Sequence, residues 1–261
     1  RTLTKIVKVT SGSNSKVAKI VNDLYSSIIT AGTYMVKNIR VAEAAKIIEN
    51  CQRDINIAFV NELSMLFNLM EIDSYEVLEA AKTKWNFMNY SPGLVGGHCI
   101  GVDPYYLTYK AKRIGYKDSL INKARRLNDA MPNHIINRIT NYLKSIKKNI
   151  KGLNILILGF TFKENCSDIR NTKVFELYNQ LILEKAKVDI CDSQAIAKEV
   201  YDQYKIKLKN INDIKGEYDC IIAAVAHKDF HNLDIKKFKK NKDSIIFDVK
   251  NIYNNKKFMR L

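Results

Sequence analysis

The 261 residues contain no CxxC pair, no GxGxxG, no Walker phosphate loop, no internal repeat, no low-complexity linker and no long apolar run. Each absence removes a class of function. The five cysteines (Cys51, Cys99, Cys166, Cys191 and Cys220) are odd in number and far apart. That excludes a disulfide framework or a zinc knuckle and fits a reducing compartment. The longest apolar run, CIIAAVA at 220–226, falls far short of the roughly 18 residues of a membrane span. With no recognisable secretory leader, the expectation is a soluble, cytoplasmic protein with no membrane partner. His227 and His231 stand four apart without a third ligand, so no metal is expected.

Positive charge is abundant: 43 Lys and Arg against 27 Asp and Glu give a net +16. Clustered cations would point to nucleic acid. Here the lysines are scattered, and the densest runs, 144–151 and 236–242, are broken by Ile, Asn and Phe and lack an interleaved aromatic surface. They read as solvated faces, with no nucleic-acid partner, while a small acidic ligand stays open. A hydrophobic fraction of 46% is ample for more than one core. The chain opens RTLTKIVKVTSG, a strand with no beginning, which points to a piece of a longer protein whose N-terminal part precedes it.

Periodicity sets the expected elements. A strand at 5–10, a helix at 15–30 with its stripe Val17, Ile20, Val21, Leu24 and Ile28, and a strand at 33–36 resemble the tail of an α/β domain. Apolar residues then recur every three or four positions from 41 to 70, a single helix of about eight turns that no Gly or Pro interrupts. A helix at 75–82 follows, capped by Asp73 or Ser74, with Glu76 placed for a capping box. After the glycine-rich stretch SPGLVGGHCIGVDPYY, Asp103 at the N-cap, Pro104 at the first helical position and Gly115 as the stop define another helix. Two more, 119–130 and 132–148, lead to Gly152. Beyond it, strands at 154–159, 188–191, 220–226 and 244–249 enclose helices at 172–184 and 195–204. That pattern predicts a parallel sheet with helices on both faces. Ligands on such sheets bind at the carboxyl ends of the strands, here the loops after Gly159, Asp192 and Ala226.

Cys51, Cys191 and Cys220 lie in expected helices or strands and read as core. Cys99 instead sits on a loop with Gly93, Gly96, Gly97 and Gly101, where the backbone turns tightly and approaches a ligand. A helix start four residues on favours its thiolate. His98 is a poor base for Cys99, because adjacent loop residues point their side chains apart. Asp103 can both cap and act as a base. Lys46 and Asn50 lie one turn apart on the long helix, a pair with little meaning alone. After Gly159 the stretch FTFKENCSDIRNT puts Lys163, Asp168 and Arg170 in a strand-to-helix loop, with Thr172 at the helix start, where cations and amides converge on phosphate.

These pieces resemble the nucleotide-sugar 6-dehydrogenases, the UDP-glucose and GDP-mannose dehydrogenase family. The branch acting on UDP-N-acetylhexosamines is the nearest in pattern. The segments that carry the likeness are AEAAKIIENCQRDINIAFVNEL, TKWNF, PGLVGGHC with VDPYYL, and GFTFKENCSDIRNT. The resemblance implies the end of a Rossmann NAD domain at 1–40 and an all-helical central dimerisation domain at 41–150. At 151–261 it implies a Rossmann-like, parallel-sheet UDP-binding domain. It implies NAD as cofactor, a UDP-sugar substrate, a homodimer through the long helix, and a product destined for surface polysaccharide. Cys99 takes the place of the nucleophile that traps the sugar aldehyde as a thiohemiacetal and then a thioester, and Asp103 that of the residue activating water. Lys46 and Asn50 match the pair at the oxyanion. Phe87, Gly93, Gly96, Gly97, Phe162 and Lys163 match substrate contacts, and Arg170, with Cys99, faces the cofactor.

The family's NAD glycine fingerprint and a catalytic glutamate are absent from the 261 residues, so the chain alone is expected to be inactive. The UDP-glucose form of the cysteine motif reads GFGGSCFxKD. Here His98 replaces Ser and Val102 replaces Lys, which argues against plain UDP-glucose. UDP-glucose oxidation and a non-catalytic nucleotide-sugar binding or dimerisation module are the competing readings.

Overall fold

Alternate side chains of one strand feed two cores. In β3 (Asn154–Leu158), Ile155 and Ile157 join one buried cluster while Leu156 and Leu158 join another, as the two-residue period of a strand requires. The computed structural model describes residues 2–116 and 120–261; Arg1 and Ser119, which fall within expected segments, lie outside the described residues. The chain divides into two units, Arg1–Gln52 and Arg53–Leu261.

In the first unit β1 (Lys8–Thr10) pairs in parallel with β2 (Thr33–Met35), Lys8 opposite Thr33, and α1 (Ser15–Ser26) connects them. Asn14 caps α1, its side chain accepting from the Val17 N–H. The expected strand 5–10 is shorter because Leu3–Lys5 forms a 3-10 turn, closed by the Lys5 N–H on the Thr2 carbonyl. The helix stops at Ser26 rather than 30. There the Ser27 hydroxyl bonds the Leu24 carbonyl, a local side-chain bond that competes with the ladder. α2 (Ile39–Leu69) then runs 31 residues, as its unbroken pattern predicts.

In the second unit α3 (Ser74–Lys82) is capped by Asp73. Glu76 does not close a capping box; its carboxylate pairs with Lys256, while Asp73 also meets Arg260. α4 (Asp103–Arg113) starts one position earlier than expected: Val102 is the N-cap and Asp103 the first helical residue, with no side-chain cap bond. Gly115 does end it, at φ +81°. The two helices expected around Pro132 are one, α5 (Leu120–Ser145). An internal proline costs a helix about 3 kcal/mol or more. Here Met131, Pro132, Ile135, Ile136 and Ile139 are all buried against the sheet, and that burial keeps the helix running.

The sheet has the order β4-β3-β5-β6-β7, every neighbouring pair parallel: β4 (Lys187–Cys191), β5 (Cys220–Ala223), β6 (Ile245–Asp248) and β7 (Met259–Arg260). α5 and α6 (Lys173–Leu183) cover one face, Val200 of α7 (Ala197–Tyr204) joining them. Helices were expected on the other face too, and there they are reduced to short pieces. Phe230 of the four-residue α8 (Lys228–His231), Tyr218, Ile214 and the 3-10 turn Ile235–Phe238 cover it, packed on Leu156, Ile221 and Ile246. The short β7 was also not expected from the sequence. No helix among the described residues is long and apolar enough to cross a membrane.

Candidate active site

At the carboxyl ends of the strands one buried carboxylate ties three loops together. Asp192, after β4, accepts from the main-chain N–H groups of Phe160 and Thr161 after β3, the latter at 3.1 Å. Its other oxygen accepts from Gln194 and Ala195, both at 2.7 Å. His227, after β5 and fully buried, donates from Nε2 to Asp192 at 3.0 Å and accepts the Asn165 N–H on Nδ1 at 3.0 Å. Burial pushes the Asp192 carboxyl up, but the bonds from His227 and Phe160 overcome that and hold it below its usual range. These are the three loops where the sheet's topology predicts a ligand. His227 serves as their latch, and the described residues contain no cluster fit for a metal.

The loop bearing Cys99 docks on the loop after β3. The Gly97 N–H donates to the Asn171 carbonyl at 3.3 Å and the Asn171 side chain returns a bond to the Gly97 carbonyl at 3.4 Å. Gly97 has φ +90°, and a Cβ there would lie 2.7 Å from the Phe162 ring; one on Gly96 would lie 2.5 Å from the Asn171 carbonyl oxygen. These two glycines permit the approach of one loop to another, where sequence reasoning expected an approach to a ligand. His98 stands edge-on to Phe162 and turns Nδ1 toward Asp168 at 3.6 Å.

Cys99 is a free, partly exposed thiol. Its carbonyl accepts from the N–H of Asp103 at 2.8 Å, which ties the cysteine to the first turn of α4. Arg170, exposed, grips Asp168 through Nε at 3.0 Å and Nη2 at 2.6 Å. That grip holds the Asp168 carboxyl at about 2 and in turn raises the Arg170 guanidinium.

A pocket of about 170 Å³ opens beside the two docked loops. Gly96 and Ile100 line it from the cysteine loop, Phe162, Lys163 and Glu164 from the β3 loop, and Lys173 from α6. Lys250, just past β6, completes it. Its ammonium donates to the Pro92 carbonyl at 3.3 Å, and burial drives its proton affinity down, with Glu164 opposing. A wider groove of about 710 Å³, lined by Gly97, Val102, Tyr105, Asp129, Lys173 and Tyr204, lies on the other side of Gly96. Three lysines, Lys163, Lys173 and Lys250, around a pocket at strand ends suit an anionic ligand such as a diphosphate.

The remaining expected residues lie elsewhere. Phe87 is half-buried in the turn after α3, its N–H bonded to the Lys84 carbonyl at 3.1 Å. Lys46 and Asn50 belong to the first unit: Lys46 pairs with Glu49 at 3.3 Å on an exposed face, and Asn50 is buried. The described residues do not fit NAD. The turn between β1 and α1 has one glycine, Gly12, where a Cβ would lie 2.3 Å from the Ala18 nitrogen, and no dinucleotide fingerprint surrounds it. Sequence reasoning missed Lys250, although the rule that ligands sit past strand carboxyl ends points to it. It also missed four buried polar residues on α2 and α5 behind the cysteine loop.

Comparison with known proteins accounts for this arrangement. Residues 40–130 match the UDP-glucose/GDP-mannose dehydrogenase family, central domain, and residues 156–255 match the UDP binding domain of the same family. The chain belongs to that family. It is 48% identical over 252 residues to the UDP-N-acetyl-D-glucosamine 6-dehydrogenase of Salmonella typhi, covering 95% of this chain and 59% of that protein. To Protein CapL of Staphylococcus aureus it is 45% identical, covering 97% and 60%. Among solved structures, the UDP-D-ManNAc dehydrogenase from Pyrococcus horikoshii superposes with a TM-score of 0.82 at 26% identity, covering 97% of this chain and 59% of that one. The chain thus spans about three fifths of the length of the curated relatives it matches.

Proposed function

We propose that this chain is the nucleophile-bearing, UDP-binding part of an NAD-dependent UDP-N-acetylhexosamine 6-dehydrogenase, which converts the primary alcohol of the sugar to a uronic acid for surface polysaccharide. One observation carries the proposal: the segment with the free thiol of Cys99 is locked, through Gly97, Asn171 and Phe162, against a loop whose pocket gathers Lys163, Lys173 and Lys250. The relatives' names, which specify UDP-N-acetyl-glucosamine and UDP-ManNAc dehydrogenases, support the choice of sugar class.

In this reading the lysines and Phe162 hold the UDP diphosphate and the adjoining sugar, with Phe87, Gly93, Gly96 and Gly97 lining the substrate. The Cys99 thiolate adds to the aldehyde carbon; NAD would supply the oxidation on either side of that step, as acceptor of one hydride from the alcohol and of a second from the thiohemiacetal, and water then displaces the sulfur from the thioester to release the carboxylate. Asp103, carried on the first turn of α4, takes the proton of that water. Lys46 and Asn50 are assigned to the oxyanion and Arg170 to the cofactor side. We assign residues 1–40 to the end of the NAD domain, 41–150 to the central domain and 151–261 to the UDP-binding domain. The apolar residues that α2 leaves exposed, Phe59, Leu66 and Leu69, support a homodimer formed along it. The free cysteines fit the reducing cytoplasm as its compartment.

The test joins the chain to an NAD-binding N-terminal portion and follows NADH and uronate with UDP-glucose and the UDP-N-acetyl derivatives of glucosamine, galactosamine and mannosamine. Cys99→Ala is expected to abolish uronate formation and to leave UDP-sugar binding intact. Normal product yield from that variant would remove Cys99 from the chemistry.

A further inference from the structure

Four polar residues behind the cysteine loop have no part in the reading above. Asp54 and Asn61 on α2 and Arg125 and Asn128 on α5 are all at 0–1% exposure. Arg125 Nη1 pairs with Asp54 Oδ1 at 2.5 Å, and Nη2 reaches Asp129 at 3.2 Å. The Asn128 amide donates to the Asp54 carbonyl oxygen at 2.9 Å and to its Oδ1 at 2.8 Å, and accepts from Asn61 at 2.8 Å.

A buried ion pair is a poor source of stability, because desolvation offsets its attraction and apolar residues of similar volume do as well or better. This network also leaves Asp54 Oδ2 and Arg125 Nε without hydrogen-bond partners among the described residues. What it does supply is a grip on one segment of main chain. Asn61 brackets Gly93, accepting its N–H at 2.8 Å and donating to its carbonyl at 3.0 Å. Arg125 donates to the carbonyls of Val95 at 3.4 Å and Ile100 at 3.5 Å. Four main-chain groups flanking Cys99 are therefore held from behind, while Asn171 holds Gly97 from the front. An apolar plug of the same shape would fill the space and hold none of them.

The geometry points to Asp54, Asn61, Arg125 and Asn128 as positioning residues for Cys99: a buried polar clamp that fixes the path of residues 93–100 and so the direction of the thiol. The clamp stands on the hydrogen bonds; its meaning for catalysis rests on the proposed function.

The test uses this chain. Asn61→Leu removes the Gly93 bracket, and the double variant Asp54→Leu/Arg125→Met removes the pair without stranding either charge. Alkylation by iodoacetamide is followed at each cysteine by mass spectrometry, across pH, together with amide exchange of 93–102. Buried Cys191 and Cys220 report on the sheet. Both variants should leave those two cysteines protected, speed exchange of the loop amides by about tenfold or more, and change the rate and pH profile of Cys99 alkylation. Unchanged loop exchange and unchanged Cys99 alkylation, with Cys191 and Cys220 still protected, overturn the clamp. Should the double variant expose Cys191, Asn61→Ser, the milder change, decides by the same two readouts. In the joined dehydrogenase the variants should lower kcat with little change in KM for the UDP-sugar. A loosened loop with altered alkylation but full kcat would sink the nucleophile reading and leave the clamp standing.

Discussion

In the second unit Ile155, Leu156, Ile157 and Leu158 of β3 are all fully buried, whereas in the first unit Val9 of β1 is 46% exposed and Tyr34 and Met35 of β2 are 65% and 53% exposed. Both sheets are parallel, and parallel strands are found with cover on both faces. The second unit meets that requirement within itself, through α5 and α6 on one side and the short segments around Phe230 and Phe238 on the other. The first has one helix against two strands, and α1 leaves Ile20 and Leu24 at 60% and 64% exposure. A two-strand pair of this kind has little stability of its own. The apolar pattern of α1 is as regular as that of α6, so periodicity reports which face wants burial, and only tertiary structure reports whether it is buried.

Truncating one aromatic in each sheet would separate the two cases most widely. Phe247→Ala, on the interior strand β6 of the larger sheet and fully buried, is expected to cost about 3–5 kcal/mol. Tyr34→Ala on β2 should stay within about 1 kcal/mol, as exposed substitutions do. Urea denaturation followed by far-UV circular dichroism gives both values, and comparable losses would break the contrast drawn above.

A second separation uses pH, because all four histidines, His98, His134, His227 and His231, lie in the second unit. On α5, His134 has an Nε2 without a partner among the described residues, and burial, helped by Arg138, lowers its pKa from 6.5 to about 4. Its folded pKa is below its unfolded one, so the unfolded chain binds the proton first. The stability is fully present above pH 6.5 and is lost as pH falls toward 4. By linkage the loss is on the order of 2 kcal/mol, His134 being only partly buried. His134→Leu should flatten that part of the profile in equilibrium melts at pH 4, 5, 6 and 7. An unaltered slope would show that His134 is not its source.

The contrast also explains what the sequence made legible. Regular periodicity placed α2 and four of the five strands of the larger sheet, the glycines marked the cysteine loop, and the parallel topology named the loops that Asp192 and His227 tie together. The turn residues around Asp103 fixed α4 to within one position. Pro132 misled, because its local cost is visible in sequence and the burial of Ile135 and Ile139 that outweighs it is not. The second face of the sheet is hard to read for a related reason: its cover is built from segments of three or four residues, too short to show a period. The clamp left a faint trace. Asp54 and Asn61 fall at the same helical spacing as buried Cys51 and Ala58, and polar residues on a core face call for partners. Those partners lie 67 and more residues away in sequence, at Arg125 and Asn128, beyond any local pattern.

The smallest effect tests whether like local bonds count alike in the two settings. Asn14 caps α1 by accepting the Val17 N–H at 3.0 Å, and Thr172 caps α6 by accepting the Val174 N–H at 3.2 Å. Removing either, as Asn14→Ala or Thr172→Ala, should cost about 1 kcal/mol. Thr172 is buried and α6 is pinned to the sheet by Leu177 and Leu181, so its first turn should stay closed and the loss appear in the global melt. α1 has only Ala18 buried, so Asn14→Ala should open its first turn, seen as faster exchange of the Val17 amide with little change in the melt. If the Val17 and Val174 amides respond equally, the two helices are held equally well, and the weakness assigned to the first unit lies in its strands alone.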